Sequence, residues 1–592
     1  MHILGLSCYY HDSAAALLRD GILVAAAQEE RFSRVKQDEG FPSRSIAFCL
    51  RKAGISASDV DYAVFYEKPL VKFERIMQSS MGAFPSSWRM FSEAMINWFD
   101  EKLWIRNRIR RELGIPPERI LFVDHHVAHA ASALFASPFK DAAILTLDGV
   151  GECTTTAKGF GTASRGAEGS SRISLAHQQK FPHSLGLLYS AFTAFLGFQV
   201  NEGEYKVMGM APYGEPRFVD DILGKLVHLH PDGSFNLDMS WFEYHRSPVR
   251  SFGRRFVELF GEPRTPESPF VTEETDPGAS PSDPAVRSSR HYADIAASIQ
   301  KVTEEIVLGM AKALRKETGA SRLCMAGGVA LNSVANGRVI REAGFDDVFI
   351  QPAAGDAGGA LGAALQVWQE VLGNPGRFTM DNAYWGEEYT DAEAVTALES
   401  SGLRYENLTE DRLVERTVDA LLEGRVVGFH QGRFEWGPRA LGNRSILADP
   451  RQASMKDTIN RKIKFREPFR PFAPAVPEDA ASEYFDGFVP GGDYPSRFML
   501  TVLPWRERYS DLAPAVNHMG TGRLQTVRRE WNPRYYDVIE TFGQATGVRV
   551  IVNTSFNLRG EPIVSSPADA LKTFLASGID NIAMGGYWVS KE

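Results

Sequence analysis

The chain has 592 residues, 44% of them apolar, and carries a net charge of −9 with a pI near 5.9. That length is enough for two large domains with buried cores, and the acidic balance argues against a general nucleic-acid or membrane-surface binder. The four cysteines, Cys8, Cys49, Cys153 and Cys324, are scattered without C-x-x-C spacing, which speaks against a disulfide framework or a cysteine zinc cluster and fits a reducing cytoplasm.

Residues 2–8 read as a buried first strand rather than a signal peptide, because no basic lead precedes a short apolar run. No stretch approaches the ~20 apolar residues that span a bilayer. From Ala14 to Glu30 two apolar runs flank Asp20-Gly21, a strong hairpin signal. Residues 45–54 and 88–113 have helical character. A second strand, acidic loop and strand follow at 142–160, with the loop running from Asp148 to Glu152. Two copies of strand, polar loop and hairpin resemble the duplicated core of the actin/Hsp70/sugar-kinase (ASKHA) superfamily.

Residues 262–290, rich in Pro, Ser, Thr and acid, read as a long surface excursion or lid. Helical periodicity resumes at 292–317, and 322–364 alternates glycine turns with apolar runs as α/β proteins do. A second domain is expected after Gly376-Arg377, giving domains 1–376 and 377–592, with an opening strand and a helix across 383–403. Between 425 and 470 stand eleven cationic residues and four carboxylates, a local charge of +7 that points to an anionic ligand.

Five constellations carry chemistry. In VDHHVAHAASALF, His125 and His129 are four apart, so a helix would place both imidazoles on one face at metal-sharing distance. A polar helix face with one core histidine is the plain alternative, and His126 would point elsewhere. Asp148 closes an apolar strand before a glycine, as a metal-binding carboxylate or a turn former does. Asp356 of QPAAGDAGGALGAAL stands at a helix start, as a ligand or as a cap. Together the four would make a nitrogen–oxygen set suited to Fe(II), Mn(II) or Zn(II). Gly327-Gly328, followed by Asn332, could bring backbone N–H groups to a phosphate, and His11 on the first polar loop could serve as a general base.

In the C-terminal half, QGRFEWGPRALGNRSILADPR, INRKIKFREPFRPFAP and VNTSFNLRGEPIVSSPADAL combine arginines with turns and aromatics, as a clamp for phosphate or carbonyl-phosphate groups does; a solvated basic face is the plain alternative, against which stand Trp436, Pro438, Phe465, Phe469 and Phe472 among the arginines. A Walker A loop is absent.

These strings, with HDSAAALL, QEERFSR, LDGVGE and GEYKVMGMAPYG, resemble the antibiotic and nodulation-factor O-carbamoyltransferases of the NodU/CmcH type, from residue 5 to about 575. The resemblance implies an α/β protein with an N-terminal actin-like domain and a C-terminal YrdC-like domain. It implies that the second uses ATP, with Mg2+, and carbamoyl phosphate to make carbamoyl adenylate. In the first, a bound metal, usually iron, would hold the adenylate phosphate while an acceptor hydroxyl attacks.

Carried onto this sequence, His125, His129, Asp148 and Asp356 match the metal positions, His129 either as a ligand or as support. His11 matches the residue that deprotonates the acceptor. Glu204, Lys206, Gly327, Gly328 and Asn332 match the adenylate cradle. Arg439, Lys464, Arg466, Arg470, Arg523, Asn553, Ser555 and Arg559 match the activating site. The implied partners are a small-molecule hydroxyl acceptor and, for the family, a second copy of the chain in a homodimer, with neither nucleic acid nor membrane. A tRNA threonylcarbamoyl-type modification enzyme and a sugar kinase-like ATPase stand as the alternatives.

Overall fold

The computed structural model describes residues 1–100, 102–166 and 170–591. The chain packs into two compact units. The first comprises Met1–Tyr10, Ala14–Val24 and Phe41–Thr379, and the second His11–Ser13, Ala25–Gly40 and Met380–Glu592. Sequence reading alone groups neither His11–Ser13 nor residues 25–40 with the C-terminal half.

The first unit is built on two five-stranded sheets of matching topology. One contains β1 (His2–Ser7), β2 (Ala14–Arg19), β3 (Ile22–Gln28), β4 (Tyr62–Phe65) and β5 (Ile120–Phe122), in the order β3-β2-β1-β4-β5. The other contains β6 (Asp141–Leu147), β7 (Thr154–Thr162) and β8 (Arg172–Lys180). After a small ribbon of β9 (Val227–Leu229) and β10 (Phe235–Leu237), it is completed by β11 (Arg322–Ala326) and β12 (Asp347–Ile350), in the order β12-β11-β6-β7-β8. In each sheet the first strand pairs antiparallel with the next and parallel with a later one, which itself pairs parallel with the edge strand. This repeated pattern is the duplication expected from the two strand–loop–hairpin segments. Asp20 (φ 49°) and Gly21 (φ 80°) both lie in the left-handed region, as a two-residue turn matched to strand twist requires.

The helices of this unit include α1 (Ser43–Ala53), α2 (Pro69–Gly82), α3 (Trp88–Asp100), α4 (Ile105–Leu113), α5 (His125–Leu134), α6 (Glu204–Met210), α7 (Pro284–Thr318), α8 (Ser333–Glu342) and α9 (Asp356–Gln366). The helix expected over 88–113 is interrupted: α3 and α4 are separated by a 3-10 turn at Lys102–Trp104, and Glu101 lies outside the described residues. The helix expected from 292 begins eight residues earlier. Asp283 accepts a hydrogen bond from Ala285 N at 2.8 Å and Pro284 occupies the first turn, so the end of the supposed excursion is helix. Arg290 then ties Glu273 and Glu274 of the preceding segment to α7.

α5 and α9 bring the site together. Both are written in small residues, and both are buried almost throughout. A Cβ at Gly362 would lie 1.8 Å from the Ala128 carbonyl oxygen, so glycine there is what lets the two backbones touch.

The second unit holds a nine-stranded mixed sheet, β13 (Tyr405–Asn407), β14 (Val427–His430), β15 (Arg444–Ala448), β16 (Ala473–Pro477), β17 (Thr501–Pro504), β18 (Thr521–Val527), β19 (Ile551–Ser555), β20 (Asn581–Met584) and β21 (Tyr587–Ser590). Their order is β13-β21-β20-β14-β15-β19-β16-β18-β17. Helices α10 (Asp391–Ser401), α11 (Glu410–Leu422), α12 (Pro533–Thr546) and α13 (Pro567–Leu575) accompany it. Strand alternation feeds two cores: Ile446, Ala448 and Val552 enter one with Leu571 and Phe574, while Leu447 and Ile551 enter the other with Val418 and Ile539. The opening strand expected near residue 383 does not form. Residues 383–387 instead run beside 434–436 through three backbone hydrogen bonds. Among the described residues no helix is long and apolar enough to cross a membrane.

Candidate active site

α5 starts directly after Asp124, so the first histidine enters at the helix N-terminus and the second follows one turn later. Asp148 immediately follows β6, and Asp356 is the first residue of α9. It is therefore not the capping residue, which is Gly355. The four side chains converge. His125 Nε2 lies 3.0 Å from His129 Nε2, 3.0 Å from Asp148 Oδ2 and 3.6 Å from Asp356 Oδ1. His129 Nε2 lies 3.8 Å from Asp148 Oδ2 and 3.5 Å from Asp356 Oδ1. All four residues are buried, and one ligand atom of each lies within 4.8 Å of the others.

Ligands at about 2.0–2.2 Å around one cation stand roughly 3–3.5 Å apart, so these spacings fit a single divalent ion. The donor set also fits: two imidazoles and two carboxylates suit Fe(II), Mn(II) or Zn(II). The outer atoms of the carboxylates are held. Asp148 Oδ1 accepts from Gly328 N at 3.0 Å, and Asp356 Oδ2 accepts from Tyr66 OH at 3.2 Å. Burial alone would push the Asp148 carboxyl up, but His125 and His129 hold it well below its usual range. Burial would lower the His129 imidazole, but Asp148 and Asp356 override it and bring it to about 9. His126 points away, with Nδ1 2.7 Å from Thr146 Oγ1 and Nε2 2.9 Å from the Thr154 carbonyl. Burial, then His125 and His129, push it down to about 3.

The surroundings include residues that sequence reasoning missed. Tyr10 and Tyr66 are buried phenols pushed upward, first by burial and then by nearby carboxylates, Asp148 foremost for Tyr10 and Asp356 for Tyr66. Glu152 Oε1 accepts from the backbone N–H of His125 at 2.8 Å and of Lys68 at 2.9 Å. Glu67 and Lys72 form a buried ion pair at 2.8 Å. The sequential Tyr66-Glu67 after β4 was the available signal, since charged and hydroxylated residues rarely follow a buried strand without a partner.

The residues matched to an adenylate cradle partly join. Glu204 begins α6 and accepts from Ser190 Oγ at 2.8 Å and Asn201 N at 3.1 Å. Asn332 caps α8 and exchanges two amide hydrogen bonds with Gln300, at 3.0 and 3.1 Å. Gln300 accepts from Tyr189, whose hydroxyl feels the Glu204 charge. Gly327 N donates to the Ala354 carbonyl at 2.7 Å. Lys206 Nζ sits 5.4 Å from the Phe198 ring centre. His11 belongs to the second unit, half-buried, with Nδ1 3.2 Å from Asp12 Oδ2.

In the second unit Lys464 is buried, and its ammonium donates to Ser555 and Asn557, including Asn557 Oδ1 at 2.8 Å. Burial, then Arg466, Arg470 and Lys36, push it well below the usual lysine range. Burial, then Arg470, with Arg523 also contributing, likewise depress the Arg466 guanidinium. Lys464 thus feels the charges of Arg466, Arg470 and Lys36, and Arg466 those of Arg470 and Arg523, while the carboxylate of Glu467 stands 4.0 Å from Arg470. Asn553, on β19, donates to the Ala440 carbonyl at 3.0 Å, beside Arg439, and to Gln525 Oε1 at 2.6 Å. Arg559 is exposed, four residues beyond Ser555. Lys36 was missed because it lies far away in sequence. Several residues of the +7 segment serve structure instead: Arg451 pairs with Asp449, Arg425 with Glu423, and buried Arg444 donates to the Gln431, Asn443 and Ser565 carbonyls.

Residues 2–365 match the family described as Carbamoyltransferase N-terminus, and residues 418–591 the one described as Carbamoyltransferase C-terminus. An uncharacterized protein of Synechocystis sp. is 44% identical, across 100% of this chain and 97% of its own. The nodulation protein NolNO of Sinorhizobium fredii is 38% identical, across 98% of this chain and 79% of its own. A 3'-hydroxymethylcephem-O-carbamoyltransferase of Amycolatopsis lactamdurans is 34% identical, across 49% of this chain and 53% of its own. With a family match at both ends of the chain and relatives of this kind along its length, the chain belongs to the NodU/CmcH-type carbamoyltransferase family and is an enzyme of that class.

Proposed function

We propose that the protein is an ATP-dependent O-carbamoyltransferase that works in two stages. The second unit makes carbamoyl adenylate from carbamoyl phosphate and ATP, and the first unit supports transfer of the carbamoyl group to a hydroxyl of a small natural product. The observation that carries this reading is buried Lys464, held by Ser555 and Asn557 and destabilised as a cation by Arg466, Arg470 and Lys36, as Arg466 is by Arg470 and Arg523, a repulsion that an anionic ligand would relieve. Two polyanionic substrates require that density of charge, and an adenylate with one phosphate charge does not.

In the activating stage Lys464, oriented by Ser555 and Asn557, and the arginines neutralise the approaching phosphates. Water releases the phosphoryl group of carbamoyl phosphate as phosphate and leaves carbamate; a carbamate oxygen then attacks the α-phosphorus of ATP, the bond to the β-phosphate bridge breaks, and pyrophosphate leaves carbamoyl adenylate behind. In the transfer stage the acceptor oxygen attacks the carbamoyl carbon, the bond to the adenylate phosphate breaks, and AMP leaves. With Nδ1 of His11 donating to Asp12, the basic atom is Nε2, which takes the acceptor proton. His125, His129, Asp148 and Asp356 would hold the metal, iron(II) in this reading. A divalent cation there would withdraw charge from the adenylate phosphate and make AMP a better leaving group.

The cephem relative is named for carbamoylation of a hydroxymethyl group, which supports a hydroxyl acceptor and a role in secondary metabolism. The test is pyrophosphate release from ATP with and without carbamoyl phosphate. Release that requires carbamoyl phosphate supports the proposal; release indifferent to it, or ADP as the product, refutes it.

A further inference from the structure

Each ligand of the proposed metal centre has a second heteroatom, and what holds that atom fixes the ligand's direction. Gly328 N–H holds Asp148 and the Tyr66 hydroxyl holds Asp356. The two histidines differ from the carboxylates: Nδ1 of His125 and Nδ1 of His129 are both buried with no hydrogen-bond partner among the described residues. A charged atom nevertheless lies close to that of His125: Glu67 Oε2, 3.9 Å away.

Glu67 is an unusual residue for that place. Its side chain is 5% exposed, and both its oxygens bind the ammonium of Lys72, itself 7% exposed, at 3.0 and 2.8 Å. A buried ion pair is a weak source of net stability, because desolvation offsets most of the attraction. An apolar pair of similar volume would pack at least as well. Glu67 also directly follows Tyr66, so consecutive residues beyond β4 face two different ligands of the same centre.

We propose that Glu67, pinned by Lys72, is a positioning residue for His125. Once Nε2 is committed to a metal, the ring proton must sit on Nδ1, and a small turn of the ring brings it to the Glu67 carboxylate. That contact fixes the tautomer and makes the imidazole a stronger donor. Lys72, by occupying both carboxylate oxygens, keeps Glu67 from becoming a fifth ligand. The inference rests on the metal reading of the four-residue cluster and goes beyond it.

The experiment is a titration of the metal-free protein with Co2+, read by the visible absorption of the bound ion. It compares wild type, Glu67→Gln, Glu67→Asp, the charge-neutral double variant Glu67→Gln/Lys72→Met, and His125→Ala. Loss of an outer partner costs metal affinity roughly 10–100-fold. That weakening is expected in Glu67→Gln and in the double variant, with a shifted absorption band and partial recovery in Glu67→Asp. The double variant removes the unpaired lysine as a cause, and melting of the metal-free proteins reports on folding. Wild-type affinity and spectrum in Glu67→Gln and the double variant would overturn the role of Glu67 alone. If wild type binds no Co2+, or His125→Ala binds it equally well, the metal reading fails and this inference with it.

Discussion

His125 Nε2 and His129 Nε2 face each other at 3.0 Å, one helical turn apart, and neither ring reaches solvent appreciably. Two imidazole nitrogens so placed share either one proton or one cation. With Asp148 and Asp356 completing the group, a cation is the better account. A divalent metal should therefore raise the melting temperature of the metal-free protein, by the equivalent of about 2.7 kcal/mol at a hundredfold excess over Kd. The same addition should have little effect on Asp148→Asn or His125→Ala, which calorimetry would show.

His11 carries a separate expectation. Replacing it with asparagine should leave formation of carbamoyl adenylate intact and slow transfer by roughly 10²–10⁴-fold, the usual worth of a general base. Product analysis separates the two stages. Unchanged transfer in His11→Asn would remove His11 from the reaction.

How much of this was legible in the sequence depends on whether the signal was local. The Asp20-Gly21 hairpin and the spacing of His125 and His129 are short-range patterns, and each appears where the spacing puts it. The start of α7 was equally local, in Asp283-Pro284, but was hidden by a proline- and serine-rich composition that reads as loop. Glu67 and Lys36 could not be found this way. Glu67 meets His125 only because β4 ends beside α5, and Lys36 meets Lys464 across more than 400 residues of chain. The excess of charge in 425–470 pointed to an anionic ligand but could not tell Lys464, whose ammonium lies buried near other cations, from Arg444, which ties backbone carbonyls together.

Substitutions in the activating site should leave metal content unaltered. Lys464→Met and Arg559→Ala should abolish or sharply reduce adenylate formation, since a hydrogen bond to a charged group is worth about 1.5–3 kcal/mol, on the order of 10–150-fold. Metal analysis alongside pyrophosphate release checks both halves. Loss of metal in either variant would place the residue in the wrong site.

Asp493, in the second unit, gives a pH dependence of stability. Burial raises its carboxyl from 3.8 to about 6, although Ser496 donates to it through both backbone and side chain. The folded state therefore holds a proton that the unfolded chain releases earlier. Stability should fall as pH rises from about 4 to about 6 and stay lower above it, by up to about 3 kcal/mol. Asp493→Asn should match wild type near pH 4 and exceed it above pH 6 in denaturant titration. A difference that does not change with pH would contradict this.

The central claim is that one unit makes an activated carbamoyl group for the other to use. It is tested most directly by mass spectrometry of a mixture of the protein, ATP and carbamoyl phosphate without acceptor. The account expects carbamoyl adenylate, present with His11→Asn and absent with Lys464→Met. ADP as the nucleotide product, or no adenylate from wild type while an acceptor is still carbamoylated, would contradict it.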